Sequence, residues 1–366
     1  MEVPLLDLTR QYKGIKSEID QAVHKVLEHT RFIMGPEVEQ FEEQAARYCG
    51  SKYAIGVASG TDALLIALRA CGVKAGDEVI TSTFSFFASA GVISRLGATP
   101  VFVDIDPDTY NLKPEEVKKA VSDKTRVIMP VHIFGQCADM DQILQIAREN
   151  NIMVVEDAAQ AIGAKYKEEK AGTMGDFGCF SFFPSKNLGA AGDAGMIVSD
   201  YMDKQTFMKS LRDHGAHPKY YHSYIGYNSR LDTLQAAILS VKLKYLDQWT
   251  EARRKNAAFY NDTLKDLPLK LPVELEHNYH IYNQYTIATD RRDELLKHLQ
   301  DHDIGCAIYY PLPLHAQECY KYLGYTDDDY EVAPGASREV LSIPIYPDLR
   351  DDERNYVVEV ITAFFK

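Results

Sequence analysis

The run Asn151-Ile152-Met153-Val154-Val155-Glu156-Asp157-Ala158-Ala159-Gln160 decides the fold. Its apolar core from Ile152 to Val155 has no polar alternation. It therefore predicts a strand covered on both faces, as in a parallel sheet wrapped by helices. The run ends in two acids. A carboxylate at the carboxyl end of a buried strand is desolvated and needs a cationic partner. A helix cap or a metal ligand are the other uses of such an acid. No second acidic cluster stands near enough in sequence to favour a metal.

Outward from this run, strand-like stretches recur at 53–58, 78–81, 100–104, 126–131, 177–182 and 195–199. Amphipathic helices at 63–70, 88–96, 114–121 and 139–150 separate several of them. With 152–156 this predicts a mostly parallel, seven-stranded α/β sheet with helices on both faces. Ligands in such sheets sit beyond the carboxyl ends of the strands. Two helices precede the sheet. One is expected at 17–29, with Ser17 and Asp20 as a capping box. The other runs from Pro36, a good first helical position, to Gly50. After Asp232 the pattern changes. A long helix is expected at 231–262, then a strand at 282–288, a helix at 292–301, a strand at 306–310 and a helix at 352–365. The division predicted is a large domain over 1–245 and a small α+β domain over 246–366.

The bulk properties exclude several classes. A net charge of −13 over 366 residues offers no basic stripe for nucleic acid. No run approaches the length of a membrane span, and the N-terminal stretch has no basic region or long apolar segment. The six cysteines, without any CxxC pair, read as reduced thiols of a cytoplasmic protein. His277 and His280 stand three apart without a carboxylate ligand pattern, which speaks against a metal.

Two further motifs carry chemistry. Ser59-Gly60-Thr61-Asp62-Ala63-Leu64 joins a strand to a helix. Its glycine allows close approach, and the helix start offers free N–H groups to a phosphate. An ordinary N-cap is the plain alternative. Phe180-Ser181-Phe182-Phe183-Pro184-Ser185-Lys186-Asn187-Leu188-Gly189 sets a lysine after an aromatic strand and a proline. Burial would lower the amine's pKa and make it a nucleophile; a solvated loop lysine is the plain alternative. Phosphate cradle, acid, serine and lysine in this order are the parts that pyridoxal 5'-phosphate (PLP) needs.

Taken together, these motifs closely resemble the DegT/DnrJ/EryC1/StrS family of sugar aminotransferases, which are fold-type I PLP enzymes. The resemblance spans nearly the whole chain. It takes in Phe32-Ile33-Met34-Gly35-Pro36-Glu37-Val38, Gly226-Tyr227-Asn228-Ser229-Arg230-Leu231-Asp232, Tyr310-Pro311-Leu312-Pro313-Leu314-His315 and Leu341-Ser342-Ile343-Pro344. It implies that Lys186 forms the Schiff base and moves the proton, and that Asp157 pairs with the pyridinium nitrogen. Gln160 would meet the ring hydroxyl, and Gly60, Thr61 and Ser181 the phosphate. Asn228 would reach the phosphate from a partner subunit, so the site is shared within a homodimer.

Phe86 falls where the family sets an aromatic ring over the cofactor, with core packing as the plain alternative. Arg230, Tyr309, Tyr310 and His315 are expected at the substrate. Lysine at 186, where one branch of the family has histidine, implies transamination over dehydration. The loop 187–195, with His214-Gly215 and Tyr220-Tyr221-His222, resembles members that aminate C3 of a nucleotide-linked sugar. C4 is the alternative position. Tyr309-Tyr310 stands where uronic-acid members carry His-Tyr, which points away from a carboxylated sugar. The implied reaction alternates PLP with its amine form, PMP, and takes nitrogen from L-glutamate. The rival readings are a PLP-dependent sugar dehydratase and a non-catalytic regulator that binds PLP or an amino sugar.

Overall fold

The computed structural model describes residues 1–366. In chain order the first part holds α1 (Leu8–His29), α2 (Pro36–Cys49), β1 (Tyr53–Val57), α3 (Gly60–Ala70), β2 (Glu78–Ser82), α4 (Ala88–Arg95), β3 (Thr99–Val103) and α5 (Pro114–Ala120). There follow β4 (Thr125–Met129), α6 (Met140–Asn150), β5 (Met153–Asp157), β6 (Lys165–Tyr166), β7 (Glu169–Lys170), β8 (Phe177–Ser181), β9 (Gly195–Ser199) and α7 (Met202–Arg212). The remainder holds α8 (Thr233–Leu243), α9 (Leu246–Leu264), β10 (Asn278–Tyr279), β11 (Tyr285–Ala288), α10 (Arg292–Asp301), α11 (Ala333–Glu339), β12 (Val340–Ile343) and α12 (Asp351–Phe365).

Seven strands pair in the order β1-β9-β8-β5-β4-β2-β3. All run one way except β9, which is antiparallel to both neighbours. The expected fold class holds. The apolar run of β5 explains the two-sided cover. Val154 enters one core with Phe41, Ile143 and Leu239, while Val155 enters another with Leu64, Leu65, Ile93 and Leu211. Each such side chain contributes about 1.5–3 kcal/mol by leaving water. A two-residue-wide ladder, β10-β6-β7, joins the later part of the chain to this layer.

A separate core forms around α9, α10, α12, β11 and β12. It includes Tyr260, Tyr285, Leu295 and Val357, and also Val3 from the chain's start. Val3 bridges to Ile304. Val3 and Leu6 thus pack with residues from the later part of the chain.

Local differences from expectation have physical causes. α1 begins at Leu8, capped by Asp7, whose carboxylate accepts from Thr9 N–H at 2.9 Å. Ser17 lies inside it, beyond a kink at Ile15. α2 starts at Pro36 and is closed after Cys49 by Gly50, whose φ of +85° suits a residue without Cβ. The long helix at 231–262 is two, α8 and α9, parted at Lys244–Tyr245. The stretch 306–310 is no strand: Ala307 makes one isolated bridge to Ser342. β12 is instead the partner of β11.

Candidate active site

Because β9 alone is reversed, the ends of β1, β5 and β8 and the start of β9 come together at one edge of the sheet. Gly195 pairs with both Val57 and Ser181. A Cβ on Gly60 would lie 2.7 Å from Ser181 Cβ, and one on Gly195 would lie 2.3 Å from the carbonyl carbon of Ser59. Two glycines therefore let the turn Ser59–Gly60 sit directly on Ser181 and the start of β9. Ser59 caps α3, its hydroxyl accepting from Asp62 N–H at 3.1 Å. The N–H groups of Gly60 and Thr61, in the first turn, have no intrahelical acceptor. With the helix dipole they form an anion cradle.

Asp157 ends β5 and is buried. Its Oδ2 accepts from Ser89 Oγ at 2.8 Å and its Oδ1 from Ala159 N–H at 3.2 Å. Burial raises its pKa, against the pull of these donors and of the charges on Lys186 and His132. Lys186, on the stretch between β8 and β9, is half-buried. Crowding pulls its amine down to about 8, with only the Asp157 charge opposing. A buried acid without an ion-pair partner and an amine near neutrality thus lie close enough for each charge to favour the other.

Glu156, next to Asp157, turns away from it. It accepts from His132 Nε2 at 2.8 Å and from the N–H groups of Gly172, Met174 and Gly175. Its need for partners is met within the scaffold.

Gln160 is buried. Its Oε1 accepts from Phe134 N–H at 2.6 Å and its Nε2 donates to the Tyr310 hydroxyl at 3.0 Å. Tyr310 packs against Phe84 and Phe86, ring centroids 6.2 and 6.3 Å away. Phe86 is 58% exposed, so core packing does not explain it. Tyr309 faces a cavity of about 70 Å³ with Ser185 and Arg253.

Arg230 donates to Asp213 at 2.5 Å and bridges by backbone to Val57. Asn228, two residues earlier, is exposed. His315 departs from the expected role. It is 1% exposed, its ring nitrogens meeting Thr83 Oγ1 at 2.7 Å and Asp327 at 3.1 Å, and it stacks on Tyr330. Its ring is committed to holding the segment 314–330 against the end of β2. Sequence reasoning missed Ser89. The only trace was a serine four residues after Ser85, and its partner lies far along the chain.

The chain is 48% identical over 369 residues to the pleiotropic regulatory protein of Geobacillus stearothermophilus, covering all of this chain and 99% of that one. It is 40% identical to a UDP-N-acetyl-3-dehydro-alpha-D-glucosamine 3-aminotransferase of Acidithiobacillus ferrooxidans, covering 98% and 97%. The crystal structure of S. venezuelae DesV in complex with a ketimine intermediate superposes with a TM-score of 0.97 at 39% identity, over 100% and 99% of the chains. Residues 13–362 match the model of the DegT/DnrJ/EryC1/StrS aminotransferase family, and to that family the chain belongs.

Proposed function

We propose that this protein moves an amino group from L-glutamate to the C3 keto group of a nucleotide-diphosphate-linked sugar, using PLP and PMP, for amino-sugar biosynthesis. The observation that carries the reading is the buried carboxyl of Asp157 at the end of β5, whose charge reaches Lys186, an amine that burial lowers to about 8. The C3 position draws on the name of the Acidithiobacillus relative and on the loop 187–195.

The residues suit the cofactor. The Gly60–Thr61 N–H groups and Ser181 would hold its phosphate, Asp157 its ring nitrogen and Gln160 its ring hydroxyl, with Phe86 over the ring. Bound there, the cofactor supplies an electron sink for the carbon that loses or gains a proton. Lys186 Nζ, neutral in an appreciable fraction near pH 8, would take that proton and return it at the carbon on the other side of the transferred nitrogen. Tyr309, Tyr310 and Arg230 line the approach for the sugar nucleotide. The working form is a homodimer, in which Asn228 of the partner subunit completes the cradle. In support, Asn228 is exposed, as are the apolar side chains of Phe32, Ile33 and Phe183. No helix is long and apolar enough to cross a membrane.

The purified protein is expected to absorb in the visible, to lose that band with glutamate, and to be trapped by borohydride at Lys186. A Lys186→Ala protein that still aminated the sugar would refute the reading. A second reading, a regulator without turnover, draws on the name of the Geobacillus relative. Nitrogen found on the sugar product excludes it.

A further inference from the structure

We infer that Ser89, backed by Ser85, is a positioning residue that sets the charge Asp157 presents to the cofactor. The inference rests on the proposed PLP site. Ser89 lies in the first turn of α4 and is fully buried. A helical serine commonly turns its hydroxyl back to the carbonyl four residues earlier. Ser89 instead donates out of its helix to Asp157 Oδ2, 2.8 Å away. Its own oxygen is 3.0 Å from Ser85 Oγ, which is also buried. With the Ser89 proton on Asp157, Ser85 is left as the donor to Ser89. The two hydroxyls form a polarised chain, each strengthening the next.

No other side chain donates to Asp157; its second donor is the Ala159 N–H. Further groups near enough to feel its charge are Lys186 on the β8–β9 stretch, His132 after β4, Cys179 on β8 and Tyr310. His132 cannot take over the role of Ser89. Its ring is held between Glu156 and the Ala138 N–H. Ser85 and Ser89 also flank Phe86, so the same few residues bring a ring and a hydroxyl to the site.

The test uses the PLP-loaded protein and the pH at which its visible band titrates. The Ser89 hydroxyl puts the positive end of a dipole on Asp157. Removing it leaves the site more negative, which would keep Lys186 Nζ, once joined to the cofactor, protonated to higher pH. Ser89→Ala is expected to raise the midpoint by roughly half a pH unit. Ser85→Ala, one bond further off, should raise it less. Loosened packing alone would lower the melting temperature without moving the midpoint. A loaded Ser89→Ala protein with the wild-type midpoint overturns the inference. If Ser89→Ala does not fold, an unmoved midpoint in Ser85→Ala overturns it. A wild-type protein with no visible band defeats the cofactor reading itself, which is a separate outcome.

Discussion

Below pH 8 the amine of Lys186 carries its charge inside the protein, and this opposes folding. Its folded pKa, about 8, lies below the ordinary value of 10.5. Between these values the unfolded chain binds more protons than the folded one. Stability therefore falls as pH drops through that window, and the whole penalty is present below it. Lys186→Met removes the charge. The cofactor-free variant should melt above wild type at pH 7 by the equivalent of about 1–2 kcal/mol, allowing for partial exposure. The gap should close as pH nears the ordinary lysine value. Thermal unfolding at a series of pH values checks this, and a variant no more stable at pH 7 contradicts it. That Lys186 mattered was readable from the order of its motifs. Its lowered pKa was not, because the crowding comes from residues distant in sequence. Ser89 was hidden for the same reason: its partner Asp157 comes 68 positions later.

At the scale of elements, the turn from β1 into α3 is the most demanding. A methyl at Gly60 would press on Ser181 at 2.7 Å, and both residues sit in close-packed backbone. Gly60→Ala is expected to cost roughly 1–3 kcal/mol and to weaken PLP binding when titrated by fluorescence. Unchanged affinity would show that the glycine serves packing alone. Elements with strong punctuation were legible. Pro36 and Gly50 bracket α2 because a fixed φ and a left-handed φ each suit one end of a helix. Elements defined by distant pairing were not. The stretch 306–310 has strand-like residues, yet β11 pairs instead with β12, leaving Ala307 one bridge. The start of α1 escaped notice because the kink at Ile15 breaks its period.

At the scale of the molecule, a shared site can be tested by mixing. Lys186→Ala and Asn228→Ala chains should each be nearly inactive. Mixed dimers would hold one site with both residues intact. Reassortment at equal amounts should restore about a quarter of wild-type activity, if subunits pair at random. If Asn228 served its own chain's Lys186, mixing would restore nothing. The one reversed strand bears on turnover itself. Since Ser181 and Gly195 are paired neighbours, the stretch bearing Lys186 is tied at both ends to one edge of the sheet. With PLP held in the site, an amine tethered in this way would stay beside the cofactor after a substrate amine displaced it, at an effective concentration that no dissolved amine reaches. The release of product is thereby coupled to the recovery of the resting enzyme.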